Sequence, residues 1–524
     1  SGTINSILES SSRFAADIAY QLRERIYEII IPKLTEGITE ARNISNPTKQ
    51  DISITYEMSL ILLFRLLFIA YAEDRDLLPF KSNSSYKQRS LKHKAIELSE
   101  KLSSDISEPE GENHWYETSL LWKAISVGNK EWGIPAYGGE IFSSNSEISN
   151  AGYEIEKIKL KNKIFEPVLI ALLLTKSKEK DYAPLDFRAL SVREFGTIYE
   201  GLLESELSIA ENDLGIDEKG SYLPTTNQEK IKVYKGEIFL HDRSGARKTS
   251  GSFYTPDFAV EHLLEGSLEP AIDNHLKRME NLSDADVTEQ FFDFHIADIS
   301  MGSGHFLVAA IDCIERRFSN WLNIKPNPGI MRELQFLRHT AKNQLDGYGE
   351  YMELEDSQIL RRMIAKRCIY GIDINPLTVQ LAKLSIWIHT FVPGLPLSLL
   401  DHNLINGNSL IGVDSLKQIK EKFKQSEGSL FQIDANKIIS EAAEPLRRLA
   451  KLSDSNLKDI EEGRALIKEA NFKINQTKAL CDLITAKPVS NHDDLKNFLV
   501  EDWENLKENI LNSDALKIAH KILK

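Results

Sequence analysis

The run Ala297-Asp298-Ile299-Ser300-Met301-Gly302-Ser303-Gly304-His305-Phe306-Leu307 follows the apolar residues Phe291, Phe292, Phe294 and Ile296. It reads as a strand ending in a Gly-x-Gly turn that opens a helix. Glycines there remove Cβ atoms, so a ligand can approach the backbone, and the helix start offers free N–H groups. A purely structural turn satisfies the same pattern. The dinucleotide fingerprint is incomplete, because Leu307 stands where its third glycine belongs, and this disfavours a nicotinamide or flavin enzyme.

A second segment, Cys368-Ile369-Tyr370-Gly371-Ile372-Asp373-Ile374-Asn375-Pro376, is an apolar strand that delivers a carboxylate just before a helix. Asn375 can cap that helix and Pro376 can take its first position. A carboxylate at the tip of a second parallel strand can accept hydrogen bonds from both hydroxyls of a ribose. In the alternative, Asp373 only helps to cap the helix. A third segment, Asn403-Leu404-Ile405-Asn406-Gly407-Asn408-Ser409-Leu410-Ile411, ends a strand with a side-chain amide that could contact an adenine ring. A fourth lies upstream: Ser250 to Pro256, with Tyr254, Thr255 and Pro256 before a helix from Asp257. It is either a loop that lids a ligand or an ordinary helix entry.

These segments need a scaffold of alternating strands and helices. Between Gly251 and Val413, short β-branched runs alternate with helical spacing, which predicts βαβ units and a parallel sheet. The first helix should bury Phe306, Leu307, Ala310, Ile311, Ile314 and Phe318, and the second Leu377, Leu381, Leu384 and Ile388. In front, 15–43 and 54–78 have helical spacing, and the second stretch is apolar on nearly every side, as in the middle of a bundle. Residues 81–162, around Trp115, Trp122, Trp132 and Gly138-Gly139, read as an irregular lobe. Leu190 to Leu203 returns to helical spacing, and 231–234 and 238–240 read as strands. After Asp414, apolar positions such as Leu446, Leu449, Leu452, Leu457, Ile460, Ile467, Phe472 and Ile474 predict an antiparallel helical hairpin broken near 453–456. The expected organisation is 1–180, a helical domain with the irregular lobe; 181–250, a helical and extended connector; 251–414, the ligand-binding α/β domain; and 415–524, a helical hairpin.

In this order the four segments resemble the motifs of amino-methyltransferases that modify adenine N6 in DNA, particularly the Type IIG restriction-modification and phage-defence (BREX-like) methylases. The stretches Leu63-Phe64-Arg65-Leu66-Leu67-Phe68 and Phe195-Gly196-Thr197-Ile198-Tyr199-Glu200-Gly201 are similar to the family's N-terminal segments. The resemblance covers most of the chain. It implies a Rossmann-like S-adenosylmethionine-dependent methyltransferase domain with a partial sheet. Asp298, Gly302 and Gly304 would surround the methionine part of the cofactor, Asp373 would hold its ribose and Asn408 its adenine. Tyr254, Thr255 and Pro256 would close over the methionine end, and Ser300, Phe306, Ile374 and Ser409 would also belong to the cofactor site. Ile299 departs from the family's proline, and the long interval between Gly304 and Asp373 implies a helical insertion from about Asn320 to Met363.

The resemblance also shows what is missing. Transfer to an exocyclic amine needs a flipped adenine, acceptors for its N6 hydrogens and an aromatic face. The family supplies these with an Asn/Asp-Pro-Pro-aromatic tetrapeptide. No such tetrapeptide occurs here: Asn46-Pro47-Thr48, Asn327-Pro328-Gly329 and Asn375-Pro376-Leu377 all lack the second proline. Only the first three strands of the sheet can be read, which would leave an apolar edge open. The expectation is that the catalytic loop and any target-recognition domain lie beyond Lys524 or on another chain. The rival expectation is a non-catalytic cofactor-binding or DNA-binding scaffold of a defence complex. A nuclease is disfavoured, since no strand-borne Glu-x-Lys follows a suitable acidic residue.

Bulk properties frame this reading. The chain has 524 residues, a net charge of -14, 42% hydrophobic and 27% charged residues, room for several packed domains and no tract that forces disorder. Its double-stranded DNA partner must be met locally, because phosphate binding depends on clustered Lys and Arg. Arg243, Arg247 and Lys248, and the run Arg361, Arg362, Lys366 and Arg367, are either such patches or solvated charged faces. Cys313, Cys368 and Cys481 are too scattered for a metal or disulfide framework, which fits a reducing cytoplasm. The apolar run Leu60 to Ala72 contains Arg65 and falls short of the roughly 20 residues that span a bilayer, so no membrane partner is expected. Ser1-Gly2 opens no signal peptide, and the natural start is expected upstream.

Overall fold

The computed structural model describes residues 15, 17–44, 47–102, 108–176, 182–190, 194, 202, 205–217, 222–242, 257–346, 354–413, 435–486, 489–490 and 514–523. The front half is built on two helices, α1 (Ile31–Ala41) and α2 (Lys49–Asp74). Thr48 and Asp51 close a capping box at the start of α2, the backbone of each meeting the side chain of the other. From Met58 onward nearly every residue of α2 is buried, so the apolar run belongs to a longer helix than its own length suggested, and the core covers that helix on all sides. Arg65, fully buried, is its internal anchor. Its Nε donates to the carbonyl of Ile141 at 2.7 Å, and its guanidinium lies 5.3 Å from the Trp122 ring centre.

The lobe expected to be irregular is helical in large part. It contains α3 (Leu91–Lys101) and α4 (Asn113–Val127), and Trp115 and Trp122 meet edge to face on α4 with centroids 5.3 Å apart. The four-residue spacing of Thr118 and Trp122 behind Trp115 was hidden in sequence by the polar residues between them. The start of α3 is held by Glu73, whose buried carboxylate accepts from the N–H groups of Leu91 and Lys92 and from the Tyr86 hydroxyl. Helix α5 (Asn162–Leu173) closes the bundle, and β1 (Ser205–Ile209) pairs antiparallel with β2 (Ile238–Asp242). Within 231–234 only Val233 makes a bridge, to Leu214, so that stretch is not the expected strand. The predicted helix over Leu190 to Leu203 falls almost wholly outside the described residues.

Helix α6 (Glu269–Met279) leads to a sheet of three parallel strands in sequential order, β3 (Ile296–Asp298), β4 (Ile369–Asp373) and β5 (Leu404–Asn406). The crossover from β3 to β4 carries α7 (His305–Ile324), α8 (Pro328–Leu345) and α9 (Asp356–Arg367). Helix α7 buries Leu307, Ala310, Ile311, Ile314 and Phe318, while Phe306 stays partly open. Helix α10 (Pro376–His389) follows β4 and buries Leu381, Leu384 and Ile388. One apolar core runs from Ile18 to Leu404, and Phe391 joins the two halves by packing on Phe68 and Tyr137 at 5.7 and 4.8 Å.

Helices α11 (Ala435–Lys451) and α12 (Leu457–Ala486) pack against each other, and α13 (Asp514–Leu523) packs on α12. Leu449, Ile460 and Leu466 are buried, but Phe472, counted above in the apolar spacing, is 79% exposed. The turn between α11 and α12 is bound to the α/β part. Lys366 Nζ lies 2.6 Å from Asp454 Oδ1, Arg362 donates to the Asp454 carbonyl, and the N–H of Leu399 donates to Asp454 Oδ2. Arg362 and Lys366, 4% and 6% exposed, thus belong to neither reading of the basic run, whereas Arg361, paired with Glu315 and Asp312, and Arg367, paired with Glu333, keep partly exposed side chains.

Candidate functional site at the strand tips

Parallel pairing decides which residues meet. In register, Asp298 faces Gly371 and Asp373 faces Asn406, so the C-terminal ends of β3, β4 and β5 lie side by side. The chain leaves β3 through the glycine turn, where Gly302 has φ +55° and Gly304 φ +82°, a region open to glycine at little energetic cost. Gly304 is also the residue at which α7 begins. A Cβ on Gly302 would meet nothing within 4 Å, which leaves space above that backbone, whereas one on Gly371 would overlap Sδ of Met301. Gly371 thus lets the turn sit directly on β4.

Turn and carboxylate touch. The N–H of Gly302 donates to Asp373 Oδ2 at 3.1 Å, and that of Asn375 donates to Oδ1 at 2.9 Å. Asn375 in turn caps α10 by accepting from Leu377, so capping belongs mainly to Asn375. Asp298 accepts from Ser300 N–H. Burial pushes the Asp298 carboxyl above the usual range, and the neighbouring Asp373 pushes it further. Neither carboxylate is in an ion pair among the described residues. The two therefore form an electronegative tip suited to a cationic ligand.

A groove of about 600 Å³ runs from helical residues 263–271 along β3 to the turn; Asp298, Ser300, Gly302 and Phe306 line it, together with His305. Asp373, Ile374, Asn408 and Ser409 are not among its walls and belong to the two neighbouring strand tips. Ile374 is exposed just behind Asp373. The Asn408 side-chain oxygen accepts from the N–H groups of Leu410 and Ile411. Tyr254, Thr255 and Pro256, and the basic Arg243, Arg247 and Lys248, lie outside the described residues.

Sequence reasoning passed over Asn406. Its amide donates to the carbonyls of Asp373 and Ile374, both at 2.9 Å, and the N–H of Gly407 also donates to Asp373 O. Asn406 therefore fixes the backbone that presents the carboxylate. Its place opposite Asp373 follows from strand register, which the sequence does not print. A second missed group is Lys383, half-way along α10 and held charged between Glu140 and Asp401 at 2.8 and 2.7 Å.

The chain is similar to a protein of Methanocaldococcus jannaschii whose name gives it as a type II restriction enzyme and methyltransferase, an assignment that name itself marks as provisional. Identity is 24% over 225 residues, which cover 36% of this chain and 17% of that protein's length. No family model matches the chain, and no solved structure matches it.

Proposed function

We propose that this chain is the S-adenosylmethionine-binding part of a restriction-modification DNA methyltransferase acting on adenine N6. The reading rests above all on the contact between the Gly302 backbone and the Asp373 carboxylate, because it joins two adjacent strand tips into one nucleoside grip. Three parallel strands in sequential order, with the candidate residues at their C-terminal ends, agree with one half of a doubly wound, Rossmann-like sheet, where ligands bind outside those ends. The name of the archaeal relative points to the same reaction class.

The residues fit the cofactor's chemistry. A sulfonium nucleoside carries positive charge at its amino-acid end, and among the described residues no cation pairs with Asp298 or Asp373. In this reading each Asp373 oxygen keeps a lone pair for a ribose hydroxyl, Ile374 supplies an apolar face for adenine, and the Asn408 amide nitrogen donates to a ring nitrogen. Glycine backbone at 302–304 admits the methionine portion. The bound cofactor supplies the activated methyl group. These 524 residues supply its binding and orientation, and the acceptor adenine would be met by a segment with the absent tetrapeptide. Double-stranded DNA, and a target-recognition segment or subunit, are the partners of this reading.

The test is methylation of DNA by the full natural gene product, followed by digestion and nucleoside analysis. N6-methyladenine supports the proposal. Methylation on cytosine overturns the adenine assignment, and cofactor binding with no transfer at all favours the scaffold reading instead.

A further inference from the structure

Asp373 is held from two directions. Helix α10 leaves it through Asn375 and Pro376, and β5 lies opposite it with Asn406, whose amide donates to the carbonyls of Asp373 and Ile374. The presentation of the carboxylate therefore depends on how β5 sits against α10. The chain enters β5 through a tight turn in which the carbonyl of Leu400 accepts from the N–H groups of Asn403 and Leu404. Asp401 lies inside that turn.

Lys383 ties the turn to the helix. It stands about two turns into α10, with its side chain 7% exposed, and its Nζ lies 2.7 Å from Asp401 Oδ1 and 2.8 Å from Glu140 Oε2. The two carboxylates are not equivalent. Burial pushes the Glu140 carboxyl up, whereas Asp401, although burial works against its charge, is held below its usual range by Lys383. Glu140 belongs to the front half of the chain and Asp401 to the entry of β5, so the Asp401 arm is the one that bears on the strand tips.

We propose that Lys383 is a positioning residue for the cofactor site: through Asp401 it holds the entry of β5 against α10, which keeps Asn406 on the Asp373 backbone and the carboxylate against the Gly302 N–H. Its consequence for S-adenosylmethionine binding rests on the proposed function, while the placement of Asp373 can be measured without a ligand.

Hydrogen exchange read by mass spectrometry on the chain alone, beside calorimetric titration with S-adenosylmethionine, tests this. Asp401→Ala and Glu140→Ala each leave Lys383 one carboxylate, so neither strands a buried cation. In Asp401→Ala the N–H groups of Gly302, Asn375 and Gly407, all bonded to Asp373, should exchange about tenfold faster, and the cofactor should bind about tenfold more weakly. Glu140→Ala should match the parent protein in both. Lys383→Met combined with Glu140→Gln breaks the Asp401 arm from the other side and should reproduce the Asp401→Ala pattern. Parent-like exchange in Asp401→Ala, or equal acceleration in Glu140→Ala, would overturn the proposal. The expected exchange pattern with no cofactor binding by the parent chain would uphold the role of Lys383 and overturn the proposed function instead.

Discussion

Gly302 and Asp373 stand far apart in the chain, yet the N–H of one meets the carboxylate of the other at 3.1 Å. The contact exists because β4 runs two residues past the end of its parallel neighbour β3, so that the turn after β3 lies beside Asp373, and because Gly371 has no side chain to lift that turn away. Everything assigned to the strand tips depends on it.

Replacing Gly371 by alanine tests that packing. Its Cβ would overlap Met301 Sδ, so the turn must shift. Overpacking of this kind costs about 1–3 kcal/mol. We expect a lower melting temperature together with weaker S-adenosylmethionine binding. The control is Gly266→Ala, where a new Cβ meets nothing within 4 Å; it should leave binding unchanged and, at an exposed helical position, should not lower the melting temperature.

Asp298 should show opposite effects on stability and binding. Its carboxyl is raised by burial and by Asp373, so its ionised form is disfavoured in the folded protein. For a raised acid, the penalty is absent below the unfolded pKa and appears as pH rises through the folded one. Asp298→Asn should therefore raise the melting temperature at neutral pH and narrow the difference between neutral and mildly acidic pH. It should also weaken cofactor binding about tenfold, which calorimetry would measure.

The attachment of the α11–α12 turn predicts a strong dependence on its buried ion pair. Asp454→Ala leaves Lys366 charged among buried groups, and breaking one partner of such a pair costs about 3–5 kcal/mol. Denaturant unfolding should show a loss of that order. The double variant Asp454→Ala with Lys366→Met should recover part of it, since Lys366 is then no longer a lone buried charge, while buried Arg362 still lacks the carboxylate beside it and the Leu399 N–H its acceptor.

His402 sets an acid limit. Burial first, then the nearby Lys366, pulls its imidazole from 6.5 down to about 4, and Nδ1 has no hydrogen-bond partner among the described residues. A base depressed on folding gives stability that is complete above the unfolded value and is lost as pH falls from 6.5 towards 4, at up to about 1.4 kcal/mol per pH unit. Thermal melts across that window should fall less steeply for His402→Gln than for the parent protein.

Much of the strand-tip arrangement could be read from residue order. An apolar run, a glycine turn and a helical stripe are local signals, and Gly302 and Asp373 were both visible that way. Register is not local, so Asn406, opposite Asp373, was passed over in favour of Asn408. Burial of charge is not local either. Arg362 and Lys366 look like a surface basic run in sequence, but their partner, Asp454, arrives from the distant turn between α11 and α12. In residues 81–162, Ser90 caps α3 locally, but the next two N–H groups of that helix are satisfied by Glu73, which arrives from another helix.

Calorimetric titration of the chain with S-adenosylmethionine, beside Asp373→Asn, tests the central claim most directly. The asparagine keeps an oxygen for the neighbouring N–H groups but loses the charge and one acceptor. We expect saturable one-to-one binding by the parent chain and at least about tenfold weaker binding by the variant. No saturable binding by a folded parent chain, or equal affinity in the variant, would contradict the account.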